Sequence, residues 1–195
     1  MVTVAQARYL TVAETAKLVR RAIGSKFPGV KFSVRSSSYS GGASINISWT
    51  DGPRQPEVES IASGFAGADF DGMIDMAIHN ESWLLPDGSA ELASSPGTEG
   101  SRGTLPGFVS DAPHPNAELV RFSADYVFCN RHISNWNERQ TEALAYIRAH
   151  CRCDGEPPSD RFGNDWVDNL ARRMVHDFDT SETIEQTFDR VILNR

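Results

Sequence analysis

The chain has 195 residues, 39% of them hydrophobic and 23% charged, with three cysteines and a formal net charge of −7. This composition is that of a globular protein, which excludes wholesale disorder, and no apolar run approaches the roughly 18–20 residues that span a bilayer. Three cysteines make no disulfide framework and Met1 to Leu10 form no secretion signal, so the expected setting is a reducing cytoplasm without membrane attachment.

The charge is unevenly spread. Residues 1–54 carry eight basic side chains against the two acids Glu14 and Asp51, a local balance of +6, which leaves −13 on the remainder. A split of this size creates oppositely signed faces that steer partners more than they fix a fold.

Thr11-Val-Ala-Glu14 is a capping box, and Val12, Ala16, Val19 and Ile23 follow it at helical spacing. Gly24 and Pro28-Gly29 stop that helix. The period then changes to two: Val30, Phe32 and Val34 predict one strand, and Ile45, Ile47 and Trp49 predict a second. Between them, Ser36 to Ser44 is a polar connection, most simply a hairpin around Gly41-Gly42. A helix is predicted from about Pro56 to Gly64, then a third strand over Met73, Ile74, Met76 and Ile78. Residues 86–116 are rich in proline, glycine and serine and predict an inserted loop. Val120, Phe122, Ala124, Tyr126 and Phe128 alternate as a fourth strand. Three helices follow: one capped at Asn135-Trp-Asn-Glu138, one carrying Trp166, Val167, Leu170 and Met174, and one capped by Asp179. The expected fold class is therefore α+β, an αββαββ core with a small antiparallel sheet and a C-terminal helical segment. The expected division is 8–133 and 134–195.

Four stretches carry a likeness to a known family: Phe27-Pro-Gly-Val-Lys-Phe-Ser-Val-Arg35, Ser37-Ser-Tyr-Ser-Gly-Gly-Ala-Ser-Ile-Asn-Ile-Ser-Trp-Thr-Asp-Gly52, Phe70-Asp-Gly-Met-Ile-Asp75 and Phe128-Cys-Asn-Arg131. Together they resemble a large polyvalent protein-associated domain, the twenty-ninth type of its series, over about residues 8–133. The Ser/Gly run leading into Ile-Asn-Ile-Ser-Trp is the most specific part, and the 86–116 insertion departs from the family pattern. The resemblance implies a module of phage and conjugative-element proteins thought to accompany or protect incoming DNA. The family has no assigned reaction, so it supplies no catalytic residue. In a chain without the usual partner modules, it implies a stand-alone factor such as an inhibitor of host defence.

No phosphate-binding loop, dinucleotide fingerprint, zinc-protease motif or nucleophile elbow is present, so neither an enzyme nor a cofactor is expected. Cys129 and His132, with His150, Cys151 and Cys153, are zinc-type ligands, but Cys-x-Cys is not the usual knuckle spacing and packed or surface thiols explain them as well. A cysteine nucleophile at Cys129 or Cys151 lacks any surrounding signature. Asp69, Asp71 and Asp75 lack the further ligands of a calcium loop and suit a turn.

Arg35-Ser-Ser-Ser38-Tyr39-Ser40-Gly41-Gly42 is the leading binding candidate, offering hydroxyls, glycine amides, an aromatic face and a guanidinium to phosphate oxygens or a partner's backbone. Arg20, Arg21, Lys26 and Lys31 lie nearby in sequence. At the other end, carboxylates including Asp165, Asp168 and Asp177 stud the helices; they repel DNA but can dock on a basic surface. The plain alternatives are a solvated turn and solvated helix faces. The expected function is stoichiometric inhibition of a host defence protein or ribonucleoprotein complex, with nucleic-acid binding as the alternative. A homodimer using Trp136 or Trp166 is a third reading.

Overall fold

The computed structural model describes residues 6–95, 109–151, 165–179 and 181–193. It is a mixed α/β architecture with three sheets and C-terminal helices. Two compact units divide it: Met1–Trp49 with Pro56–Asn130, and Thr50–Gln55 with Arg131–Arg195.

The first unit opens with β1 (Arg8–Leu10) and α1 (Val12–Lys26). The capping box at the start of α1 forms in full: the Glu14 amide donates to Thr11 Oγ1 (3.4 Å), and the Thr11 amide donates to Glu14 Oε2 (2.9 Å). Strands β2 (Ser33–Tyr39) and β3 (Gly42–Thr50) follow, then α2 (Gln55–Ala62) and a 3₁₀ turn at Ser63–Phe65. Next come β4 (Ala68–Asp71), β5 (Met76–His79), β6 (Glu81–Leu84), β7 (Ala90–Ser94), β8 (Glu118–Phe122) and β9 (Tyr126–His132).

These strands correct the expected αββαββ order and its single antiparallel sheet. One sheet has the order β1-β8-β6-β7, with β1 and β8 parallel and β6 antiparallel to both its neighbours. A second has the order β2-β3-β9, and β4 and β5 pair alone as a ribbon. Only the second half of the predicted third strand is strand: Met73 and Ile74 lie in a turn, and β5 pairs back on β4, which precedes the predicted stretch. The predicted fourth is also two, broken at Ser123–Asp125, where the Gly67 amide donates to Ala124 O (2.7 Å) and the Ala68 amide to Asp125 O (3.3 Å). Residues 86–116 are not all loop, since β7 lies within them. Their far end is tied down by Trp83, whose indole N–H donates to Ser110 O (3.1 Å); residues 96–108 lie outside the described residues.

The polar run assigned to a hairpin connection is mostly strand. β2 pairs with β3 from Ser33↔Ser48 to Tyr39↔Gly42, so the turn itself is only Ser40-Gly41, with Gly41 at φ +90°. Val30 and Phe32, expected in this strand, precede it and pack on the core as partly buried side chains. That core joins the α1 stripe (Val19, Ile23) to Ile45, Ile47 and Trp49 of β3, with Phe65 and Phe122 tilted together at 5.4 Å. Removing each such side chain from water contributes about 1.5–3 kcal/mol.

The second unit contains α3 (Trp136–His150), α4 (Asp165–His176) and α5 (Ile184–Leu193), closed over Ala143, Ile147, Val167, Leu170, Met174 and Val191. Two expected caps are corrected. Asn135 sits in the left-handed region (φ 54°) with no side-chain cap bond, and the start of α3 is held instead by Asp51, whose carboxylate accepts the Ser134 amide (3.0 Å) and hydroxyl (2.5 Å). Asp179 accepts the amide and hydroxyl of Ser181, while α5 is capped by Thr183, which exchanges bonds with Gln186 (3.2 and 2.9 Å). Arg131 ties this unit together: its guanidinium donates to the carbonyls of Asp51 (3.2 Å), Gly52 (2.8 Å), His176 (3.1 Å) and Phe178 (2.7 Å).

Candidate binding surfaces

Arg35, Ser38, Tyr39, Ser40 and Gly41 are all exposed along β2 and its turn, and Gly42 is half-exposed. β2 is an edge strand, so both its faces beyond Val34 meet solvent. The neighbouring basic cluster is smaller than its sequence suggested, because the Arg20 guanidinium donates to Val34 O (2.8 Å). Gly42 is dictated by close approach: a Cβ there would lie 2.3 Å from Asp125 Oδ2 and 2.9 Å from the Tyr39 ring.

Asp125 pins this end of the hairpin. Its Oδ2 accepts the Ala43 amide (2.9 Å), and its own amide donates to Ala43 O (2.8 Å). Beside that clamp opens a hollow of about 560 Å³. Ser38, Gly41 and Gly42 form one wall, while Arg35, Tyr39 and Ser40 lie outside its lining. Other lining residues were not foreseen: Tyr9 from β1, His79 from β5, Arg121 from β8, and Ser123 and Asp125 from the β8–β9 link. Tyr9 and Arg121 are partners in the parallel β1–β8 register, and their neighbours Leu10 and Phe122 are buried. Period two therefore turns Tyr9 and Arg121 to the other side. Arg8 is occupied elsewhere, by an ion pair with Glu118 that raises the arginine's pKa and lowers the carboxyl's.

Among the described residues, a group of exposed apolar side chains lies on the β4–β5 ribbon. Phe70, Met73 (70% exposed), Ile74 and Met76 (58%) all face solvent, with Asp69 and Asp75 among them. Buried Asp71 fixes the turn: its Oδ1 accepts the Met73 amide (2.9 Å) and its carbonyl the Ile74 amide (3.3 Å). That is the turn role expected of this aspartate run. The alternation offered Met73, Ile74 and Met76 as strand residues, so their exposure was missed.

The acidic candidates belong to the second unit. Asp168 is half-buried on α4, and Asp177 just beyond it lies 3.5 Å from His176 Nδ1 while its carbonyl accepts from Arg190 (2.6 Å). Asp165 begins α4, and its side chain lies outside the described residues, as does Cys153. Among the described residues, no group of three or more His, Cys, Asp or Glu side chains is placed to hold a metal ion. Burial, aided by Glu59, pushes the Cys129 thiol up to about 12, so it is protonated at neutral pH and a poor nucleophile. No described helix is long and apolar enough to cross a membrane.

No curated protein and no solved structure matches the chain. One family model does, over residues 10–134, which include α1 and both strands of the β2–β3 hairpin. The chain belongs to the family described as Large polyvalent protein associated domain 29, a domain associated with phages and mobile elements.

Proposed function

We propose that the chain is a non-enzymatic counter-defence protein of mobile elements that inhibits a host nuclease or CRISPR complex by stoichiometric protein binding. The observation that carries this reading is the β4–β5 ribbon, which holds four large apolar side chains in water on a turn fixed by Asp71. Covering each by a partner would contribute about 1–2 kcal/mol, and grouped apolar exposure of this kind marks interaction sites. Asp69 and Asp75 within the ribbon suit a basic partner surface, such as one that grips nucleic acid. On the second unit, Asp168 and Asp177 are separate acidic candidates for contact. The test is affinity purification of the full chain from a host lysate with active defence systems. Recovery of a defence component in a complex that weakens with salt, lost on Met73→Asp, supports the reading; no such component, together with no protection of infecting DNA, sinks it.

A second reading, a nucleic-acid-binding accessory factor, is favoured by the exposed Arg35 beside the Ser/Gly turn. It predicts that Arg35→Glu abolishes binding and that affinity falls linearly on a log–log salt plot. Unaltered mobility of DNA and RNA at low salt removes it.

A further inference from the structure

We infer that the hollow between the β2–β3 turn and β8 is a nucleotide site, which takes a phosphate together with its nucleoside. Its volume of about 560 Å³ falls in the range of small-molecule pockets. Three chemistries converge on it. Arg121 supplies a planar guanidinium whose fork matches phosphate oxygens, and His79 adds a ring nitrogen to the lining. Tyr9, 62% exposed, presents an aromatic face on which a base can stack. Asp125 offers the acceptor that sugar hydroxyls or an exocyclic amine need, since only its Oδ2 is drawn to the Ala43 amide.

The opposing charges decide against a bare anion. Asp125 lines the cavity and Glu14 lies close by, although Glu14 is turned onto the Thr11 amide and hydroxyl (2.9 and 2.6 Å). Inorganic phosphate would meet Asp125 with no stacking to offset the repulsion. A nucleotide places its phosphate at Arg121 and turns Asp125 into a partner. The walls are held in advance: the Asp125–Ala43 clamp fixes the turn, and Gly42 leaves no room for a side chain between them. Preorganisation of this kind reduces the ordering cost of binding. None of the ribbon residues Phe70, Met73, Ile74 or Met76 takes part, so this site and the protein-binding reading can fail separately.

The test is calorimetric titration of the full chain with adenosine monophosphate, inorganic phosphate, adenosine, and single-stranded oligonucleotides with and without a 5′-phosphate, alongside amide NMR. Adenosine monophosphate should bind at least ten-fold more tightly than phosphate or adenosine alone, moving the amides of Gly41, Gly42, Ser123 and Asp125. Arg121→Gln and Tyr9→Ala should each weaken it at least ten-fold, with Arg172→Gln, at an exposed position of α4, unchanged. A 5′-phosphorylated strand that binds more tightly than the mononucleotide assigns the site to strand ends; the reverse assigns it to free nucleotides. If a variant melts early, the amide map of the unaltered chain decides. No binding at millimolar adenosine monophosphate, shifts confined to other parts of the fold, or unchanged affinity in folded Arg121→Gln overturns the inference.

Discussion

Arg131→Ala is the sharpest perturbation of the second unit. The guanidinium donates to four carbonyls, those of Asp51, Gly52, His176 and Phe178, at 2.7 to 3.2 Å. Two of these carbonyls end α4 or follow it, where a cation also meets the negative end of the helix dipole. A hydrogen bond to a charged group contributes about 1.5–3 kcal/mol. Arg131 is half-buried, so water re-solvates part of what the truncation exposes, and we expect roughly 3 kcal/mol in all, equivalent to two of the four bonds. For a chain of this size that lowers Tm by about 6–12 °C. Arg131→Lys, which reaches fewer carbonyls with one ammonium, should lose about half as much. Calorimetry and urea unfolding give the number, and amide exchange at the end of α4 gives the location. A loss below about 1 kcal/mol for Arg131→Ala, or equal losses for alanine and lysine, refutes the reasoning.

Three further outcomes are expected. Gly67→Ala would place a Cβ 1.9 Å from Phe122 O, a backbone atom that cannot swing aside, so the variant should lose about 3 kcal/mol or more, whereas Gly24→Ala, with nothing within 4 Å, should not lose stability. Equal melting temperatures for the two would contradict that packing. The Arg190 guanidinium, bonded to Glu182 at 2.6 Å, holds this carboxyl below its ordinary value of 4.5 against the opposing effect of burial. A carboxyl depressed in the folded chain stabilises fully above its unfolded pKa and loses that contribution as pH falls through the folded one. The stability gap between the natural chain and Arg190→Met should therefore shrink from neutral pH toward pH values below 4.5, and parallel curves would refute it. Finally, Cys129 should resist iodoacetamide at pH 8 in the folded chain and react in urea, because burial keeps its thiol protonated. Labelling of the folded chain at the rate of a free thiol would contradict this.

Much of the first unit was legible because local signals agreed. The Thr11–Glu14 cap and the Val19–Ile23 stripe both specify α1, and the alternation of Ile45, Ile47 and Trp49 specifies β3. β2 was blurred because, beyond Val34, an edge strand wetted on both sides carries no alternation, and Arg35 to Tyr39 read as loop. β1 was invisible: three residues become a strand only by pairing in parallel with β8 far along the chain, in the register Arg8↔Val120 to Leu10↔Phe122. Half of the hollow was missed for the same reason, since Tyr9 and Arg121 meet only through that pairing. The Thr183–Gln186 capping box, by contrast, stood in the sequence as plainly as Thr11–Glu14 and was passed over for Asp179.

The discontinuity of the second unit bears on how the polypeptide can be dissected. Thr50–Gln55 leaves the ribosome early, yet Asp51 finds Ser134 only 83 positions later. Scission after Asn130 would strand that hexapeptide on the wrong fragment, stripping α3 of the carboxylate at its entrance and Arg131 of two acceptors. The helices excised by themselves should thus be less stable than within the intact chain, and adding back a synthetic peptide spanning 50–55 is the natural complementation.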